Sequence, residues 1–193
     1  MRQSYREGCK GCGISSGRDT EVNERGGIID LGNDWTVNHY GGTEGFLGWV
    51  VLQPRLHVGD MADLSAGEAA SMGKSIRCVG RALREYWRVS FNDDPIERVY
   101  VMYFHESVFG IAEQSQLSQD EWHLHLHLIP RTVRLGRILR RFSDNGSIHA
   151  WSMPDVVRLS GGDFPKQYHK NNGNMSALIS HLRLHLDRDD IHM

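Results

Sequence analysis

His123-Leu124-His125-Leu126-His127-Leu128-Ile129-Pro130-Arg131 is the stretch that decides how this chain is read. Along a β-strand, successive side chains leave opposite faces of the sheet. Strict alternation therefore sends three imidazoles to one side and three leucines to the other, with neighbouring histidines roughly 6–7 Å apart. The leucines require a core, and the histidines form a row on an open face. The alternation reaches back to Glu121, which puts Glu121 with the histidines and Trp122 with the leucines. Pro130 predicts the end of the strand.

A row of imidazoles suits chemistry on phosphate. A neutral imidazole is a nucleophile near pH 7, a protonated one stabilises charge on a phosphoryl oxygen, and a pKa of about 6.5 lets neighbours select either state. Attack on phosphorus would give a covalent phosphoramidate that water then hydrolyses. A lone histidine on a strand is ordinarily a solvated residue. Three at strict alternation, beside an apolar run and a closing Pro-Arg, are poorly explained that way.

Working back from this strand, Arg98 to Phe104 reads as a strand, and His105 to Asp120 has no clear period. Ser65 and Glu68 have capping-box spacing and open a helix to about Val89, with Ala69, Met72, Ile76, Val79, Leu83 and Trp87 on its buried face. Phe46 to Gln53 is a strand ended by Pro54, and His39 to Gly45 is a Gly-rich loop. Ile28 to Asn38 holds one or two short strands turned at Gly32-Asn33-Asp34. Forward of the histidines, Gly136 to Phe142 reads as a short helix, Asn171 to Asn174 as a polar linker, and Ser176 to Leu186 as a helix with Ala177, Ile179, Leu182 and Leu186 on one side.

The whole chain sets the bounds. Its 193 residues can bury a core without disulfide staples, and the formal net charge of -2 gives no reason to expect a nucleic-acid or anionic-membrane partner. The N-terminus lacks the apolar segment of a secretory signal, and the apolar runs are too short to cross a bilayer. The reading is of a cytoplasmic protein. Three cysteines, two of them in Cys9-x-x-Cys12, point to metal or redox chemistry rather than a disulfide framework.

The segment HLHLHLIPR resembles the signature of the histidine-triad nucleotide-binding family. Gly48-Trp49-Val50-Val51-Leu52-Gln53-Pro54-Arg55-Leu56-His57-Val58, followed by Asp63-Leu64, resembles that family's first block of strand, proline, basic residue, histidine and capped helix. The likeness spans about residues 9–131. It implies an α+β fold: an antiparallel sheet of histidine-triad type with one long packed helix and a C-terminal extension, usually dimeric. Residues 1–131 would be the histidine-triad domain with an N-terminal zinc segment, and residues 132–193 the extension, of no assigned role.

The resemblance also implies roles. His125, the middle histidine, would be the nucleophile at the α-phosphate of a nucleotide, and His127 would contact the phosphate oxygens. Asn38 looks like the polar residue that reaches the nucleotide in this family, and Gln119 would stand in for its Gly-Gln. Arg131, read from its own place at the end of the triad strand, would meet a phosphate of the substrate or else be a surface arginine. In some members of the family, and in the related galactose-1-phosphate uridylyltransferases, an N-terminal CxxC joins a first-block histidine and the first triad histidine around zinc. Those positions are Cys9, Cys12, His57 and His123, which would form a closed structural site.

The expected activity is hydrolysis or transfer of nucleoside monophosphate units, with dinucleoside polyphosphates or nucleoside phosphoramidates as substrates. The alternative is a nucleotide-binding adaptor with weak or no turnover. The match departs from the family in two places. Ser118-Gln119-Asp120-Glu121 stands where small polar residues and Gly-Gln usually precede the triad, and Trp49 stands near the end of the first-block strand where a histidine or small residue is usual. Away from these segments, His181 and His185 share a helix face and read as surface residues, and Cys78 reads as buried and inert.

Overall fold

The computed structural model describes residues 5–40, 47–103, 122–142 and 175–186. Among these, β1 (Ile28–Leu31), β2 (Trp35–His39), β3 (Val50–Pro54), β4 (Ile96–Tyr103) and β5 (Leu126–Thr132) form one sheet in the order β1-β2-β3-β5-β4. Each neighbouring pair is antiparallel. With one long helix packed on it, this is an α+β architecture. The turn at Gly32-Asn33-Asp34 joins β1 to β2 as its residues predict.

The long helix α3 (Ala66–Ser90) starts at a complete capping box. Ser65 Oγ accepts from the Glu68 N–H at 3.2 Å, and Glu68 Oε2 accepts from the Ser65 N–H at 2.7 Å. Such a cap contributes about 1 kcal/mol. It also changes the predicted face: Glu68 is buried because its carboxylate folds back on Ser65, while Ala69 is exposed. Val79, Leu83 and Trp87 enter the core with Leu52, Leu126 and Leu128 from the sheet.

Two predicted strand limits move. β3 begins at Val50 rather than Phe46, because Gly48 takes a φ of +87° that breaks the extended run. A Cβ there would also come within 2.6 Å of the Trp87 ring and 2.7 Å of Pro130, so only glycine lets the chain cross this point. β5 begins at Leu126 rather than Glu121 and runs through Pro130 to Thr132. Its ladder to β3 ends at Leu128, while the ladder to β4 continues through Pro130 to Thr132. Pro130 therefore lies past the β3 ladder, where a missing N–H breaks no bond to that strand.

The ends of the chain hold more structure than composition suggests. Residues 10–24 carry two short helices, α1 (Lys10–Ser15) and α2 (Thr20–Glu24), capped by Cys9 and Asp19. Helix α4 (Val133–Phe142) starts before the predicted Gly136, where Thr132 Oγ1 accepts from the Leu135 N–H and Asp94 Oδ1 from the Arg134 N–H. Helix α5 (Met175–Leu186) packs on α3 and adds Leu178, Ile179, Leu182 and Leu186 to the same core. Leu178, not Ala177, completes its buried face, and His181 is half-buried against the Tyr86 ring at 5.2 Å. Arg183 ties α5 to the first strand by donating to Gly26 O and Ile28 O. No helix among the described residues is long and apolar enough to cross a membrane.

Candidate active site and metal centre

Cross-strand register decides which side chains share a face, since directly paired residues point the same way. Asn38 pairs with Val51, and Val51 pairs with His127. These three form one row on the face opposite the leucine core. His39, Val50 and Leu128 form the adjacent row on the core face, so the alternation read from the sequence holds where β5 is a strand.

His123 and His125 precede β5 and are fixed by other means. The Leu124 N–H donates to Val58 O at 2.6 Å. His123 Nε2–H donates to Pro54 O at 2.9 Å, and His125 Nδ1–H donates to His123 O at 2.8 Å. A carbonyl oxygen can only accept, so each bond fixes a tautomer: His123 keeps its Nδ1 lone pair, and His125 keeps its Nε2 lone pair. Burial holds His125 below the ordinary histidine value, its hydrogen bond to His123 O acting the other way. A half-buried neutral imidazole with a free-electron-pair Nε2 is what a nucleophile at phosphorus requires.

His127 lies beside it, ring centroids 5.0 Å apart. The Trp49 Nε1–H donates to His127 Nδ1 at 2.8 Å, and Tyr40 stacks on Trp49 at 4.6 Å. The sequence singles out Trp49 as an unusual residue for its position but gives no sign of this bond, and Tyr40 is missed altogether. Only the β3–β5 register, absent from the sequence reading, could have put Trp49 next to His127.

Asn38 is 3% exposed; its Nδ2 donates to His39 O, while its Oδ1 is buried without a partner among the described residues. Arg131 lies at the far end of β5, about 13 Å along the strand from His127. Its Nη1 donates to the Tyr100 hydroxyl at 3.1 Å, and its Nε lies 3.5 Å from Glu97 Oε2. Gln119, together with His105, Glu106 and Glu121, lies outside the described residues.

The four residues singled out for metal come together. Cys9 Sγ, Cys12 Sγ, His57 and His123 offer ligand atoms all within 4.8 Å of one another. Cys12 Sγ is 3.3 Å from His57 Nδ1 and 3.5 Å from His123 Nδ1, and Cys9 Sγ is 3.7 Å from His123 Nδ1. Tetrahedral zinc with ordinary Zn–S and Zn–N bonds needs sulfur and nitrogen ligands about 3.5 Å apart, so the cluster fits. His123 presents Nδ1 inward because Pro54 O holds Nε2–H, the outer hydrogen bond that metal-binding histidines commonly make. Burial pushes the Cys12 thiol up to about 11 and His123 down to about 4. A neutral histidine is the ligand form, and a divalent cation is what would deprotonate a thiol so buried.

Gly11, inside the Cys9–Cys12 turn, is the residue that makes the approach. A Cβ on Gly11 would overlap the His123 side chain. Gln53 Nε2 donates to Gly11 O at 3.2 Å and pins the turn to β3.

No family model matches the sequence, and no curated protein is significantly similar to it. Several solved structures resemble the fold. A zinc-bound histidine-triad family protein from Mycobacterium smegmatis has 17% identity, with 93% of this chain and 94% of that one covered and a TM-score of 0.49. A Hit-like protein involved in cell-cycle regulation from Bartonella henselae, crystallised with an unknown ligand, has 13% identity, 94% and 98% coverage and a TM-score of 0.49. A HIT-family protein from Bacillus subtilis has 17% identity, 65% and 74% coverage and a TM-score of 0.44. These structural neighbours are histidine-triad proteins.

Proposed function

We propose that this chain is a histidine-triad enzyme that cleaves or transfers a nucleoside monophosphate unit through a covalent bond between His125 and the α-phosphate. The observation that carries the reading is the His125 Nδ1–H···O=C bond to His123 at 2.8 Å, which leaves a neutral Nε2 lone pair on the histidine face. The nucleophile's electron pair would bond to phosphorus as the bond to the leaving group breaks, and water or another acceptor would then displace His125. His127 would hydrogen-bond a phosphoryl oxygen, and the unpartnered Asn38 Oδ1 would accept from a donor of the nucleotide. Gln119 would join them from the segment before the triad. Arg131, engaged by Tyr100 and Glu97, would act on the end of the strand rather than on phosphate.

Cys9, Cys12, His57 and His123 would hold a zinc ion with no open position, so its role would be structural. Of the ligands, His57 follows β3 and His123 is the first triad histidine, and the ion would anchor α1 to both. A homodimer would use β4, the edge of the sheet, where Val101 is exposed.

The test is a turnover screen of wild type and His125→Ala on diadenosine polyphosphates, adenosine phosphoramidate, nucleotide sugars and mononucleotides, with products resolved by chromatography. Release of a nucleoside monophosphate by wild type, lost by on the order of a thousandfold or more in the variant, is the expected result. Nucleotide binding without turnover in wild type would leave the adaptor reading in its place.

A further inference from the structure

The two cysteines of the metal centre are also placed to bond to each other. Cys9 caps α1 and Cys12 lies in its first turn, with their sulfurs within 4.8 Å of one another. Side chains three residues apart on a helical turn have Cβ atoms roughly 5–6 Å apart, against about 3.5–4.5 Å in a disulfide. Closing that gap takes a shift of about 1–2 Å. Cys9 is the residue that can make it, because its backbone is extended, with φ -78° and ψ 116°, and stands outside the helical run.

Both sulfurs accept a backbone hydrogen bond, and they differ in access. The Cys12 N–H donates to Cys9 Sγ at 3.4 Å, and the Arg6 N–H donates to Cys12 Sγ at 3.4 Å. Each bond favours the thiolate, which is the nucleophile as well as the metal ligand. Cys9 is 8% exposed and Cys12 1%, so a small oxidant in water meets Cys9 first and Cys12 lies behind it. Cys78 is buried in the core under α3, apart from both. A disulfide and a bound metal exclude each other here. The sulfurs of a tetrahedral zinc site are charged and about 3.8 Å apart, whereas bonded sulfurs are neutral and about 2.0 Å apart.

We propose that Cys9 and Cys12 form a reversible redox switch, closed to a disulfide by a hydroperoxide with loss of the metal; the proposal rests on the zinc reading above. The Cys9 sulfur pair bonds to one peroxide oxygen as the O–O bond breaks, and the other oxygen leaves with that bond's pair as hydroxide. Cys9 is then a sulfenic acid. The Cys12 thiolate pair bonds to the Cys9 sulfur, and the S–O bond breaks with its pair leaving on a second hydroxide. The two sulfurs together give up two electrons, and the peroxide takes both. His57 and His123 are left as two nitrogen donors, too few for a closed site. The change reaches the triad through His123, which belongs to both clusters. Its Nδ1 lies 3.7 Å from Cys9 Sγ and 3.5 Å from Cys12 Sγ, and its carbonyl accepts the His125 Nδ1–H at 2.8 Å.

The experiment exposes untagged, zinc-loaded protein to excess hydrogen peroxide. Released zinc is followed with a chromogenic indicator, and the oxidised cysteines are identified by mass spectrometry of digests. Cleavage after Lys10 separates the two cysteines, so a disulfide between them appears as a linked pair of peptides. About one zinc should leave per disulfide formed, Tm should fall by several degrees, and a dithiol with added zinc should restore both. Cys78→Ser should respond as wild type does. The wild-type readings need no activity and no ligand variant, so they decide the matter even where a substitution fails to fold. Zinc that stays bound while methionines are oxidised would overturn the switch alone. Zinc loss through sulfinic acid with no Cys9–Cys12 disulfide, or a response that Cys78→Ser abolishes, would overturn it too. Wild type purified with no zinc would overturn the zinc reading itself and the switch with it.

Discussion

Gly11 is packed so closely on His123 that a methyl group on the glycine would occupy the space of the imidazole's Cβ and Cγ. The contact joins the N-terminal Cys9–Cys12 turn to the residue that opens the triad. It couples a segment of little intrinsic stability to the histidine face.

Gly11→Ala should therefore damage the metal centre more than an exposed glycine replacement would. Gly13 is a control in the same helix, with open space where its Cβ would go. Gly11→Ala is expected to lose most bound zinc and to lower Tm by several degrees, roughly the effect of 1–3 kcal/mol of overpacking. Gly13→Ala should keep its metal. Metal analysis of untagged protein alongside thermal melts would check both.

Zinc itself should be stoichiometric and structural. Purified protein without a histidine tag is expected to hold about one zinc per chain, to lose it to a strong chelator with a clear fall in Tm, and to release it on acidification because the ligands must be deprotonated. Cys12→Ser and His57→Ala should each lose the metal. Absence of stoichiometric zinc in wild type would sink the assignment of all four ligands.

The buried His127 makes a prediction about acid. Its folded-state pKa is depressed to about 3 by burial, against an ordinary histidine value of 6.5. The unfolded chain therefore binds a proton that the folded chain refuses. The stabilising contribution is complete above pH 6.5 and is lost as pH falls from 6.5 toward the folded value, with a slope of about 1.4 kcal/mol per pH unit from this site. His127→Asn should flatten part of that acid slope in urea midpoints measured at pH 7, 6 and 5. An identical slope in variant and wild type would place the acid sensitivity elsewhere.

Helix α5 should matter to the fold as much as to any function of the C-terminal residues. Leu182 is fully buried against the core that α3 covers. Leu182→Ala is expected to cost about 2–5 kcal/mol, the range for removing a buried leucine side chain. Leu184→Ala, on the exposed side of the same helix, should change stability by less than about 0.5 kcal/mol. Paired denaturant titrations would measure the difference.

The helix cap offers a smaller effect with a cleaner cause. Ser65→Ala removes the acceptor for the Glu68 N–H and is expected to cost about 1 kcal/mol, with the sheet and site unchanged. A loss much larger than that would mean that Ser65 holds the entry to α3 in ways beyond capping.

Local pattern in the sequence was enough for features that depend on near neighbours. The His-Leu alternation separates a chemical face from a core face because strand geometry has a period of two. Ser65 and Glu68 start α3 because their side chains reach across a single turn. Gly32-Asn33-Asp34 turns β1 into β2 by backbone preference alone. The Cys9, Cys12, His57 and His123 set came from a resemblance, and the structure brings those four side chains within reach of one another.

What only the tertiary structure decided depends on groups far apart in the chain. That Asn38 and His127 share a row follows from two ladder registers, β2 with β3 and β3 with β5. That Gly11 must be glycine follows from the seat it takes on His123, 112 positions later. That His127 holds its proton on Nε2 follows from an indole N–H brought up by β3, since an imidazole's tautomer is set by whichever partner reaches it first in space. Spacing along the chain determines periodicity and caps, whereas protonation and metal geometry are properties of the packed neighbourhood.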